Sequence, residues 1–258
     1  MVLSLPQGCG RGGVEYGRRM QRIALLLVLL TGVCLSAAEP TITLPIRFHI
    51  TQGAKMTVKG KVMENWVLPA DLTGPVLAEV NRIWKPAGIQ FVVERAQAEA
   101  LLKPANFAEL IQVVENSKRG EEEIAGSGRT VAIAKLLDPA QRHPSAMNVY
   151  LLPYIGATYQ GYANLGGKQA VIGVWTDKAS GASKPPVKAL LVEPEPMKVG
   201  SLARTIAHEL GHNLGLLHPD KSEVSSVGRL MGGSKQGYAL TEEEIAKARK
   251  TAQKHAAK

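Results

Sequence analysis

The chain has 258 residues, a formal net charge of +9 and only 5% aromatic side chains. Its basic residues are spread rather than clustered, which argues against a nucleic-acid surface and leaves solubility as the plain meaning of the charge. Both cysteines, Cys9 and Cys34, fall near the N-terminus, inside a segment that reads as removable, so a small disulfide-stapled scaffold and thiolate metal ligands are excluded for the mature chain.

That N-terminal segment reads as a targeting signal. Arg18, Arg19 and Arg22 precede an apolar run over residues 23–35, and Ser36, Ala37 and Ala38 form a small-residue cleavage site before Glu39. The run is too short to span a bilayer, which takes about 20 residues, so no stable membrane span is expected. The reading is a signal peptide at 1–38, cleaved near Ala38, with the mature protein secreted or held in the cell envelope or periplasm. Met20 is an alternative start, because the run that follows it is already a sufficient signal. Cys34 raises a lipid-anchored alternative, which the preceding Thr31, Gly32 and Val33 fit poorly. Removing residues 1–38 takes away four arginines and Glu15, leaving 27 basic and 21 acidic side chains. The remaining chain, 39–258, is long enough for one domain with an ordinary core.

Residues 42–50 alternate as a strand, with Ile42, Leu44, Ile46, Phe48 and Ile50 on one side and His49 among the outward polar residues. Val76, Leu77, Val80, Ile83 and Trp84 share a helical face over 71–85, which Pro86 and Gly88 end. Residues 89–93 follow as a second strand. A long interval at 95–145 contains a helical stretch at 101–114 and a charged turn at 118–123, with His143 as a loop residue near its end. Strands are expected at 147–154 and 169–175, joined by the glycine-rich, weakly charged stretch 156–167. Residues 178–196 carry four prolines and read as a loop.

A helix is then expected at about 201–214. Leu202, Ile206, Leu210 and Leu214 form its core stripe, and Ala203, Ala207 and Gly211 form a small-residue stripe suited to close packing. His208 and His212, four apart, lie one above the other on a different side. His218 completes a set of three histidines within eleven positions. Ten residues of straight helix would carry His218 roughly 15 Å from His208, so the helix must stop and double back; Gly215 can take the left-handed conformation that permits it. Three imidazoles leave the fourth position of a tetrahedral zinc site to water, and Glu209, beside the first ligand, is placed to take a proton from it. The metal expected is Zn2+, one catalytic ion. At the end of the chain, Thr241 and Glu244 form a capping box flanked by a staple of Leu240 and Ile245, opening a structural helix whose His255 lies near a solvated end.

The run His208-Glu-Leu-Gly-His212-Asn-Leu-Gly215-Leu-Leu-His218 resembles the signature of the metzincin clan of zinc endopeptidases, and Met231, thirteen residues after His218, resembles its methionine turn. The resemblance implies an α/β (α+β) metzincin-like zincin fold, in which a twisted mixed sheet packs on the active-site helix. It implies an upper subdomain at about 39–214, with a helical insertion at about 95–145, and a small lower subdomain at about 215–258 ending in a helix. The insertion is either a cleft rim or decoration. Met231 would form a hydrophobic floor under the metal without ligating it. The edge strand that binds an extended peptide would fall near Ala157, Thr158, Tyr159 and Gly161, with an ordinary glycine-rich hairpin as the alternative. Some metzincin families, including those like astacin and serralysin, carry a tyrosine two residues after the turn methionine. Here that position is Gly233. Tyr238 is either a second donor reaching the site from a longer loop or a packed surface tyrosine. Pro219 is a serralysin-like feature, but calcium repeats of that kind are not visible and no calcium site is assigned, so the resemblance stops at the clan.

The expected function is a secreted zinc-dependent endopeptidase, monomeric, with a protein or peptide substrate and no nucleic acid. The alternative is a zinc-containing, non-catalytic homologue that binds peptides or a surface; a hydrolase of nonpeptide amides is a third reading.

Overall fold

Leu44, Ile46, Phe48 and Ile50 place one face of β1 (Ile42–Gln52) in the apolar core, as their alternation predicts. The computed structural model describes residues 40–58, 60–100, 141–155, 161–176, 186–193, 200–219, 228–232 and 237–257. The leader at 1–38 with Met20, Cys9 and Cys34, the helix expected at 101–114, the charged turn at 118–123, Ala157, Thr158, Tyr159 and Gly233 lie outside these residues.

The second face of β1 departs from the sequence expectation. His49 is fully buried rather than outward. The cause is position in the sheet: β1 pairs in parallel with β4 (Ile89–Ala100) on one side and with β5 (Met147–Leu152) on the other, and parallel strands of this kind are covered on both faces. Its polar side chains are satisfied across the sheet instead of by water. His49 Nδ1 lies 2.9 Å from Glu99 Oε1 and Nε2 lies 3.0 Å from Asn148 Oδ1, while the ring stacks on Tyr150 at 4.5 Å. Asn148 donates from Nδ2 to the carbonyls of His143 and Ala146, which turns its Oδ1 toward the imidazole. Both ring nitrogens thus face side-chain acceptors, the Glu99 carboxylate and the Asn148 amide oxygen. Burial pushes the Tyr150 phenol up to about 12. His49→Leu is expected to cost about 1–3 kcal/mol of unfolding free energy, because it removes the imidazole from the buried Glu99 carboxylate and leaves it the Gln97 amide, whose Nε2 donates to Glu99 Oε1 at 3.1 Å. Urea denaturation measures this, and an unchanged midpoint would contradict the pairing.

β4 also runs further than expected. Residues 95–100 alternate alanine with arginine, glutamine and glutamate, a composition that favours a helix when read alone. Pairing with the second half of β1 overrides that preference. The register shifts between Ile46 and Arg47, leaving Glu94 as the extra residue of a bulge, and Arg47 Nη2 reaches Glu94 Oε1 at 2.7 Å.

The helical segment expected at 71–85 begins at Pro69, where Asp71 Oδ2 accepts from the Leu68 amide at 2.9 Å. A wide turn at Leu72–Val76 follows, built around Pro75, which cannot donate to the helical ladder. It leads into α1 (Leu77–Trp84) and a 3-10 turn, Lys85–Ala87, that ends on left-handed Gly88. The five-stranded sheet has the order β4-β1-β5-β7-β6, where β6 is Gly161–Ala163 and β7 is Gln169–Gly173. β5 and β7 are parallel, and β6 is the antiparallel edge. Short antiparallel ribbons join β2 (Met56–Val58) to β3 (Lys61–Met63), and β8 (Trp175–Thr176) to β9 (Val187–Lys188), the last inside the expected loop.

α2 (Leu202–Asn213) packs on α1, β6 and β7. Its stripe of Leu202, Ile206, Leu210 and Leu214 is fully buried in the same apolar cluster as the core face of β1. α3 (Glu242–Ala256) starts with the expected capping box, Thr241 Oγ1 accepting from the Glu244 amide at 3.2 Å and Glu244 Oε2 from the Thr241 amide at 2.9 Å. Ala248 and Ala252 of α3, with Leu230 and Met231, join that one core. His255 is not simply solvated: its Nε2 lies 3.3 Å from the Asn213 carbonyl at the end of α2. Among the described residues, no helix is long and apolar enough to cross a membrane.

Candidate metal centre

Ser201 caps α2, its hydroxyl accepting from the Arg204 amide at 3.2 Å. The other end closes by a Schellman motif, in which Gly215 N–H donates to the His212 carbonyl and Leu216 N–H to the Gly211 carbonyl, both at 2.9 Å. Gly215 has φ +85°, the left-handed conformation the sequence argument requires of it. The chain doubles back, and His218 arrives beside the two helical histidines.

The three rings converge. Their centroids are 4.9 Å apart for His208 and His212, 5.1 Å for His208 and His218, and 4.7 Å for His212 and His218. One nitrogen from each lies within 4.8 Å of the others. His208 Nε2 and His218 Nε2 are 3.1 Å apart; two nitrogens bound at about 2.0–2.1 Å in a tetrahedral set would stand about 3.3–3.4 Å apart. The orientations also suit ligation. His208 Nδ1 lies 2.7 Å from the Leu230 carbonyl and His212 Nδ1 lies 2.8 Å from that of Leu216. A carbonyl can only accept, so each Nδ1 carries the proton and each Nε2 keeps its lone pair for a cation. Burial, with His212 next in importance, holds His208 well below the ordinary imidazole range, and burial brings His212 down to about 4. Neutral rings are the ligating form. The donor set therefore fits a zinc ion.

Glu209 is buried beside His208, and burial pushes its carboxyl up to about 8 against the opposing pull of Arg204. Its side chain presses on the edge strand: a Cβ built on Gly161 would lie 2.5 Å from both Cγ and Oε1 of Glu209. Gly161 thus belongs to the site through contact with Glu209, a role its glycine-rich surroundings do not reveal in sequence. Gly161→Ala is expected to displace the carboxylate and lower any hydrolytic turnover while zinc content stays at the unmodified level. Parallel rate and metal measurements test this, and an unaltered rate would contradict the contact.

Met231 is fully buried against the turn that carries the histidines; a Cβ on Gly211 would meet its Sδ at 2.6 Å. The small-residue stripe therefore faces Met231 and Trp84, whose Nε1 donates to the Ala207 carbonyl at 3.3 Å. Tyr238 is 41% exposed, with the Arg82 guanidinium 4.7 Å from its ring centre. The structure gathers Tyr238 with Arg82, which in turn pairs with Glu79. The sequence reading passes over Arg204, which is buried in α2 one turn before His208. Its available signal was a lone cation in an otherwise apolar stretch. The Leu230 and Leu216 carbonyls carry no such mark.

No family model and no curated protein matches the sequence. Among solved structures, the chain is similar to a chain titled as a chaperone–substrate complex, with TM-score 0.42 and 12% identity; the match covers 84% of this chain and 35% of that one. It is also similar to a mutant promirolysin of Tannerella forsythia, with TM-score 0.41 and 10% identity over 94% of each chain.

Proposed function

We propose that this protein is a zinc-dependent endopeptidase of metzincin type, acting outside the cytoplasm after loss of its leader. The observation that carries the proposal is the convergence of three imidazoles, two of them held neutral by burial and oriented by backbone carbonyls, on a helix that also carries the buried Glu209. His208, His212 and His218 would hold the ion through Nε2. Zinc bound there supplies a Lewis acid that polarises a carbonyl and makes water acidic enough to lose a proton near neutral pH.

The remaining work falls to the chain's own residues. Glu209, in its ionised form, takes the proton from the attacking water and returns it to the departing amine, the two steps that amide cleavage requires of a single base. Gly161 allows the edge strand to lie against that carboxylate, and β6, which among the described residues pairs with β7 at the sheet edge, offers main-chain groups to an extended peptide. Tyr238, packed with Arg82, is not needed as a donor in this scheme.

Digestion of a peptide library by the purified protein, with and without a chelator and with the cuts mapped by mass spectrometry, tests the proposal. Internal cleavages that vanish with the chelator and return with zinc are expected. Zinc-dependent peptide binding without cleavage would favour the non-catalytic homologue instead.

A further inference from the structure

We propose that Arg204 is a positioning residue for the metal centre, fastening segments 228–232 and 237–239 to α2 so that the Leu230 carbonyl stays on the Nδ1–H of His208. The inference rests on the reading of His208 as a metal ligand. Arg204 stands four residues before His208, on the same helical side, and is 3% exposed. Its Nε donates to the Gly237 carbonyl at 2.7 Å and its Nη2 to the Leu230 carbonyl at 2.9 Å, with the carbonyls of Arg229 and Gly232 both 3.5 Å from Nη2. Burying a guanidinium is tolerated only where hydrogen bonds replace water. A planar fork of donors can engage several carbonyls at once, which a single ammonium cannot do in the same geometry.

The Leu230 carbonyl is the junction. It accepts from Arg204 Nη2 and from His208 Nδ1, one for each lone pair. Moving that carbonyl would release the His208 ring from its ligating orientation, and outer partners of this kind set ligand basicity and direction. Met231, the next residue, would move with it. The other oriented ligand is independent: His212 uses the Leu216 carbonyl, which the Schellman turn holds without Arg204. The two histidines therefore provide an internal comparison. The loop also has a second fastening, Arg229 Nη2 to Glu244 Oε1 at 2.8 Å and an Arg229–Ala239 bridge, so loosening Leu230 does not require the segment to unfold.

The test compares the unmodified full chain with Arg204→Lys and Arg204→Gln. Zinc affinity is measured by competition with a chromophoric chelator, and solvent exchange of each histidine Nδ1–H by imidazole 15N spectra of the metal-free protein. Both variants are expected to lose about 10–100-fold in zinc affinity, with exchange accelerated at His208 and unchanged at His212. Unchanged affinity with His208 still protected would overturn the inference, as would equal loss of protection at both histidines, which marks general loosening. Should both variants fail to fold, the unmodified protein decides: a slowly exchanging Arg204 Nε–H coupled through its hydrogen bond to the Gly237 carbonyl is required, and fast exchange overturns the clamp. An unmodified chain that takes up no zinc would defeat the metal reading, while the His208 and His212 comparison would still decide the role of Arg204.

Discussion

Glu209→Gln is expected to lower kcat for peptide cleavage by about 10²–10⁴-fold, the range removed with a positioned general base, while zinc stays bound at one ion per chain. The amide has nearly the shape of the carboxylate, so it fits the narrow space against Gly161, where a Cβ would already collide with Cγ and Oε1. It cannot take up a proton. Nor does the change endanger the fold, since burial already disfavours the charge of Glu209 and lifts its carboxyl to about 8. Steady-state kinetics with metal analysis on the same preparation separate the two effects. A variant that cleaves at the unmodified rate would remove Glu209 from the reaction.

His218→Ala is expected to abolish stoichiometric zinc retention and, with it, all cleavage. Its effect should exceed the roughly 10–100-fold loss of affinity that follows removal of an outer hydrogen-bond partner, because it deletes one of the three proposed ligands. His218 lies beyond the left-handed turn at Gly215 and outside α2, so its loss leaves the helix, its cap and the core stripe in place. Dialysis against a chelator of graded strength, followed by zinc determination, measures the change; circular dichroism checks that the helix content is preserved. Retention of zinc at the unmodified affinity would show that the third imidazole is not a ligand.

The parts of this site legible in sequence are those governed by local geometry. A spacing of four on a helix, a glycine that ends it and a third histidine after the turn are all encoded within a short window, and the structure brings His208, His212 and His218 together as that geometry requires. The capping box at Thr241 is equally local. Features set by distant partners were not legible. His49 reads as outward because its strand alternates, yet its burial depends on β4 and β5 flanking β1 and on Glu99 and Asn148 receiving its ring. The tail of β4, residues 95–100, falls in the interval expected as an insertion, and its pairing with β1, which makes it a strand, depends on residues about fifty positions away. Arg204 draws its partners from residues 25 to 33 positions downstream, and those partners are backbone carbonyls, which leave no trace in side-chain identity.

In the proposed centre, one cation is held by imidazoles from two turns of α2 and from the returning chain. Zinc determination on the purified protein, combined with X-ray absorption at the zinc edge, tests this arrangement. One zinc per chain, with three imidazole nitrogens at about 2.0–2.1 Å, is the expected result. Absence of stoichiometric zinc after reconstitution, or an absorption spectrum left unchanged by His218→Ala, would contradict it.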